Sequence, residues 1–234
     1  MYLIHRADGS RLLVTSASDL NAAAECELGF GRRVDALLGR IEALDEELDL
    51  MNQRTIEMGH AHEARLIDAF RAEGSLVEID RPARGIEGLL AAQDATIDAL
   101  HSRTDMVVQA TFFDPEHGPD VAPGIGLGFV GYADFLQHRG GGVYRVLDAK
   151  LARRAKVTAL MQLAAYAEQL ERLGIAVDDE TALILGDGRY SIHRLADIAP
   201  VHRRQRERMH ALLRERAAAG SVVAWRAPGL AHCG

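Results

Sequence analysis

Only two of the chain's 27 basic residues are lysines, Lys150 and Lys156. Lys150 closes the tripeptide Asp148-Ala149-Lys150 at the end of a predicted strand over 143–148. Fourteen residues before Asp148, on a predicted strand over 129–137, Asp134 stands in Gly131-Tyr132-Ala133-Asp134-Phe135-Leu136. Two carboxylates at adjacent strand ends can hold one hard divalent cation such as Mg²⁺, which takes oxygen ligands and keeps several waters. The Ala149 carbonyl could add another oxygen. Asp148 and Lys150 are two residues apart, so on a strand they share a face. A lysine beside a bound metal can hold or help deprotonate an attacking water, while the metal lowers that water's pKa and neutralises phosphate charge. By itself, an acid-x-Lys tripeptide also reads as a solvated edge pair.

Further candidates flank this tripeptide. Gln162 and Tyr166 are i and i+4 on the predicted helix over 157–173, so they share one helical face. A Gln can hold a water or a phosphate, and a Tyr can stack or donate a hydrogen bond; a core Tyr with an incidental Gln is the bland alternative. His62 lies in Gly59-His60-Ala61-His62-Glu63 and is a potential metal ligand. A His-x-His zinc site needs both rings on one face, which a strand provides. On the helix predicted over 53–72, His60 and His62 diverge by about 200°, leaving His60 at the surface.

The elements that must position these residues follow from local signals. A β-hairpin over 2–7 and 11–15 turns at Asp8-Gly9. Ser18-Asp19-Leu20 reads as a helix N-cap, and 32–50 as a helix with Val34, Leu37, Leu38, Ile41, Leu44 and Leu48 at helical spacing. Further helices are expected over 53–72, 86–100, 157–173 and 198–219, and strands over 76–79, 106–113, 129–137, 143–148, 181–185 and 190–195. Gly, Pro and Asp make 114–128 a loop. Its glycine run, Gly124 to Gly128, fails the dinucleotide-binding spacing. The reading is α/β: one domain of 234 residues, mainly helical over 1–103, with a small mixed β-sheet flanked by helices over 104–220.

Charge is uneven. The net charge is −7, with a balance of −12 over 1–149 and +4 over 150–216. That excludes a wholly basic nucleic-acid coat but leaves room for a local positive channel. Arg153, Arg154 and Lys156 follow the tripeptide directly, and His202, Arg203, Arg204, Arg206 and Arg208 stud the last helix, where a solvated face is the simpler reading. No apolar run is long enough for a membrane span, no secretory signal is evident, and two cysteines, Cys26 and Cys233, make no disulfide scaffold. A cytoplasmic setting is the expectation.

Taken in order, Gly59-x-x-His62-Glu63, Gly131-x-Ala133-Asp134-Phe135-Leu136, Asp148-x-Lys150-Leu151-Ala152 and Gln162-Leu163-x-x-Tyr166 resemble the RecB-like branch of the PD-(D/E)XK nuclease superfamily. The pattern is most similar to RecB-like nucleases that often carry a C-terminal RNase H-like domain. The resemblance spans 16 to about 208. It implies a restriction-endonuclease-like core and a metal-dependent DNA nuclease. His62, Asp134 and Asp148 would be ligands to Mg²⁺ or Mn²⁺, Lys150 the catalytic lysine, and Gln162 and Tyr166 would shape the site and the DNA path. Asp148 stands where the broader superfamily often has Glu.

Several RecB-like nucleases also hold an iron–sulfur cluster on four cysteines, one before the core and three after it. Cys26 and Cys233 match two of those regions but cannot complete a four-cysteine site. The resemblance therefore implies a fragment of a longer protein, with a cluster only in the longer chain. In the chain itself both cysteines are expected as free thiols. The alternative function is a catalytically silent nuclease-like module that binds DNA or a partner, and a plain structural α/β domain is a third option.

Overall fold

The computed structural model describes residues 1–42 and 50–224. In chain order it contains β1 (Tyr2–His5), β2 (Arg11–Thr15), α1 (Ala17–Glu25), α2 (Glu27–Leu37), α3 (Leu50–Glu73), β3 (Leu76–Glu78), α4 (Ile86–His101), β4 (Met106–Ala122), β5 (Ile125–His138), β6 (Val143–Lys150), α5 (Val157–Arg172), β7 (Ala176–Val177), β8 (Glu180–Leu185), β9 (Tyr190–Arg194) and α6 (Leu195–Ala218). This is the expected α/β class, with a mixed sheet and six helices among the described residues. The chain forms two compact units, one of Met1–Glu46, Phe113–Val130 and Val201–Gly234, the other of Glu47–Phe112 and Gly131–Pro200. Strands β4 and β5 and helix α6 each contribute to both.

In the first unit, β1 and β2 form the antiparallel hairpin anticipated at Asp8-Gly9. The Asp8 carboxylate accepts from the Ser10 backbone N–H at 2.9 Å, and Gly9 takes the left-handed φ of +83°. β2 then pairs in parallel with 125–129 of β5. That pairing corrects the loop expected over 114–128. Its residues complete β4 and begin β5, with a turn at Gly124, φ +74°. The glycines that read as a loop permit close packing instead, since a Cβ on Gly128 would sit 3.2 Å from the Asp114 carbonyl oxygen.

Two helical expectations shift. The N-cap is Ser16 rather than Ser18, because Ser16 and Asp19 satisfy each other's backbone N–H in a capping box. The helix expected over 32–50 begins earlier and ends at Leu37, where Gly39 turns left-handed at φ +74°; Leu44 and Leu48 lie outside the described residues. Asp35, fully buried, is held by Arg216 at 2.8 Å, Arg40 at 2.9 Å and the Val223 N–H at 2.8 Å.

In the second unit, β5 and β6 are antiparallel, β6 and β8 parallel, and β8 and β9 antiparallel. The parallel pair requires a crossover connection, which α5 supplies. The β5–β6 turn uses Gly140, Gly141 and Gly142, all with positive φ. A core of Phe70, Met106, Val108, Phe135, Leu147, Ala182 and Ile184 joins α3 to one sheet face. Phe70 meets Phe135 edge-on, with ring centroids 5.2 Å apart. None of the described helices is long and apolar enough to cross a membrane.

Candidate active site

The β5–β6 register pairs Phe135 with Leu147. One further antiparallel step sets Asp134 opposite Asp148. Leu147 and Ala149 belong with the core under α3, so strand alternation turns Asp148 and Lys150 to the other face. Lys150 Nζ lies 2.6 Å from Asp148 Oδ2. Asp134 Oδ2 accepts from the Ala149 backbone N–H at 2.8 Å. That bond fixes one carboxylate beside the strand that carries the other.

Burial pushes the Asp148 carboxyl above the usual carboxylate range, and the Asp134 charge adds to the effect, while Lys150 pulls it back. Two carboxylates this close cannot both ionise cheaply without a cation. Tyr166, buried on α5, is raised by the same desolvation and then by the charges of Asp148 and Asp134, with a hydrogen bond from the Tyr132 backbone opposing them. Its ring stacks on Phe112 at a centroid distance of 6.2 Å. Tyr166 therefore forms a rigid apolar wall beside the acids. Gln162 and Lys150 line a cavity of about 150 Å³ together with Arg154 and Lys156. Arg153 is exposed on the same segment and does not line it.

His62 stands apart. It is 5% exposed, and its Nε2 has no hydrogen-bond partner. Among the described residues, no three His, Cys, Asp or Glu side chains are grouped to hold a metal ion. Asp134 and Asp148 come together, and His62 lies on α3. Its helix packs on the Phe135–Leu147 face, and the two carboxylates turn to the opposite one.

Glu63, next to His62, has the clearer electrostatic link. Burial raises its pKa, and the Asp134 charge raises it further. Gln109 donates its side-chain amide to Glu63 from a backbone with φ +54°, the left-handed region, inside β4. Strain of this kind persists where the surroundings enforce it. Glu63 could have been found in the sequence, since Glu63, Leu66, Ile67 and Phe70 repeat at i, i+3, i+4 and i+7. Nothing local marks Gln109 beyond a polar residue within an apolar strand.

The last helix is not a uniform basic face. Arg208 pairs with Glu27 at 2.6 Å, and His202 is buried at 4% exposure. The free-thiol expectation is also corrected. Cys26 is disulfide-bonded, and its Sγ caps α2 by accepting from the Gly29 N–H at 3.2 Å. A disulfide sulfur is not a thiolate ligand for iron. Cys233 lies outside the described residues.

No family model and no curated protein matches the chain. Among solved structures it is similar to a "Putative exonuclease" from Eubacterium rectale, with 14% identity, 86% of this chain and 81% of that chain covered, and a TM-score of 0.43.

Proposed function

We propose that the chain is a metal-dependent nuclease of the RecB-like PD-(D/E)XK type that hydrolyses phosphodiester bonds in DNA. The observation that carries this reading is buried Asp148 beside half-buried Asp134, with Lys150 Nζ 2.6 Å from Asp148. The donor set fits Mg²⁺ or Mn²⁺, because a divalent cation at Asp134 and Asp148 relieves their repulsion and needs only one or two protein carboxylates. When bound, the metal supplies charge neutralisation at the phosphate and a water of lowered pKa. Lys150, 2.6 Å from Asp148 Oδ2, would hold an attacking water in line with the scissile bond. Arg154, Lys156 and Gln162 bind phosphate oxygens in the adjoining cavity. Tyr166 keeps bulk water from the two acids.

The test is incubation of linear and circular, single- and double-stranded DNA with Mg²⁺ or Mn²⁺, alongside Asp148→Asn. Cleavage by the parent that is lost in the variant supports the reading, with circular dichroism confirming the fold. DNA binding by a parent that never cuts favours the catalytically silent module instead.

A further inference from the structure

The second unit holds a larger cavity, of about 570 Å³, that phosphodiester hydrolysis does not use. Glu78, Asp80 and Arg81 form one side, Gln109 and Thr111 of β4 another, and Tyr132 of β5 a third.

Three features make it more than a dent. Tyr132 is 42% exposed, although its neighbour Ala133 is fully buried. It shares a strand face with Asp134, two residues and about 7 Å further along. Thr111 is 1% exposed, and its hydroxyl has no hydrogen-bond partner. A buried hydroxyl left unpaired costs stability. Gln109, the strained residue bonded to Glu63, borders the same space.

The lining selects its occupant. Two carboxylates and one guanidinium disfavour a phosphate. They suit a flat, neutral group with polar edges: the ring stacks, the Gln109 amide bonds the edge, and the acids accept from exocyclic amines. Arg81, close enough to Tyr132 for its charge to act on the phenol, can follow the adjoining backbone. Bases paired and stacked within a duplex cannot enter.

We infer that this cavity is a nucleobase subsite in which Tyr132 stacks the base of an unpaired nucleotide next to the scissile phosphate, so that the substrate is single-stranded at that point. The inference rests on the nuclease reading for the position of the phosphate. Base capture itself needs no metal and no cutting.

The experiment measures single-stranded DNA binding in EDTA by fluorescence anisotropy, with oligonucleotides carrying 2-aminopurine, whose emission falls when it stacks. The parent should quench the emission and bind single strands at least tenfold more tightly than blunt duplex. Tyr132→Ala should abolish quenching and weaken binding about tenfold, as expected for one base–aromatic stack. Tyr132→Phe should retain both, which a merely structural loss would not. The inference is overturned if Tyr132→Ala changes neither signal, if Tyr132→Phe fails as Ala does, if single strands do not bind, or if duplex binds as tightly. Quenching that depends on Tyr132 in a parent unable to cut with Mg²⁺ or Mn²⁺ overturns the nuclease reading and supports the subsite. Cutting with binding indifferent to Tyr132 overturns the subsite alone.

Discussion

Lys150 Nζ sits 2.6 Å from Asp148 Oδ2, two residues back on the same strand face. The lysine is the counter-charge to a carboxylate that burial and Asp134 both press toward its neutral form. On the proposed reading two roles meet in one amine: it compensates Asp148 and would position water once a metal is bound. Lys150→Arg keeps the positive charge but replaces a compact ammonium with a planar fork. It should preserve the melting temperature within a few degrees while lowering cleavage at least a hundredfold, in the range expected when a positioned proton-transfer group is lost. Paired thermal melts and initial rates separate the two roles.

Asp134 is expected to show a trade between stability and function. Asp134→Asn keeps an oxygen that can accept from the Ala149 N–H and removes the charge that opposes Asp148. In EDTA the variant should melt higher than the parent. The parent should gain stability on adding Mn²⁺, because a ligand that binds only the folded state stabilises it, and the variant should gain little. Equal Mn²⁺-induced shifts in both proteins would remove Asp134 from the metal site.

Acid sensitivity should come from His210 in the first unit. Burial, then the neighbouring charges of His117, Arg206, Arg214 and His202, push its pKa down from 6.5 to about 3. The folded state keeps His210 neutral where the unfolded chain protonates. Its contribution is therefore complete above pH 6.5 and is lost as pH falls toward about 3. The loss has a limiting slope of about 1.4 kcal/mol per pH unit, reduced by partial solvation. Urea unfolding of the parent and His210→Leu between about pH 4 and 7 should show a shallower decline in the variant.

Arg216 should matter for stability rather than activity. Burial alone would raise the Asp35 pKa, yet hydrogen bonds from Arg216, the Val223 N–H and Arg40 hold it below the usual value. Arg216→Met leaves a buried charge short of its partner and should cost about 3–5 kcal/mol. Arg216→Met with Asp35→Leu should recover much of that cost, as a double-mutant cycle in urea would reveal.

What the sequence makes legible is local. The Asp8-Gly9 hairpin, the end of the helix expected over 157–173, followed by Gly174 at φ +74°, and the Gly140–Gly142 turn all depend on residues within a few positions of one another. The nearness of Asp134 and Asp148 is legible for the same reason, since a tight turn and a period of two bring them together. The strands within 114–128 are not legible. Pro115, Pro119 and three glycines argue against a strand until β4 pairs with β5 and β5 with the distant β2. Ser16 and Ser18 are equivalent as caps until Asp19 is positioned. Which sheet face α3 covers and the left-handed φ of Gln109 beside Glu63 both depend on tertiary packing. Neither is written in spacing.

The most direct measurement is cleavage of end-labelled single-stranded DNA with Mn²⁺ by the parent and by Lys150→Ala at equal concentration. The account predicts metal-dependent cleavage by the parent and at least a hundredfold slower cleavage by the variant, with unchanged circular dichroism. Equal cleavage by both proteins would contradict a site built on Asp134, Asp148 and Lys150, and no cleavage by the parent would contradict the nuclease itself.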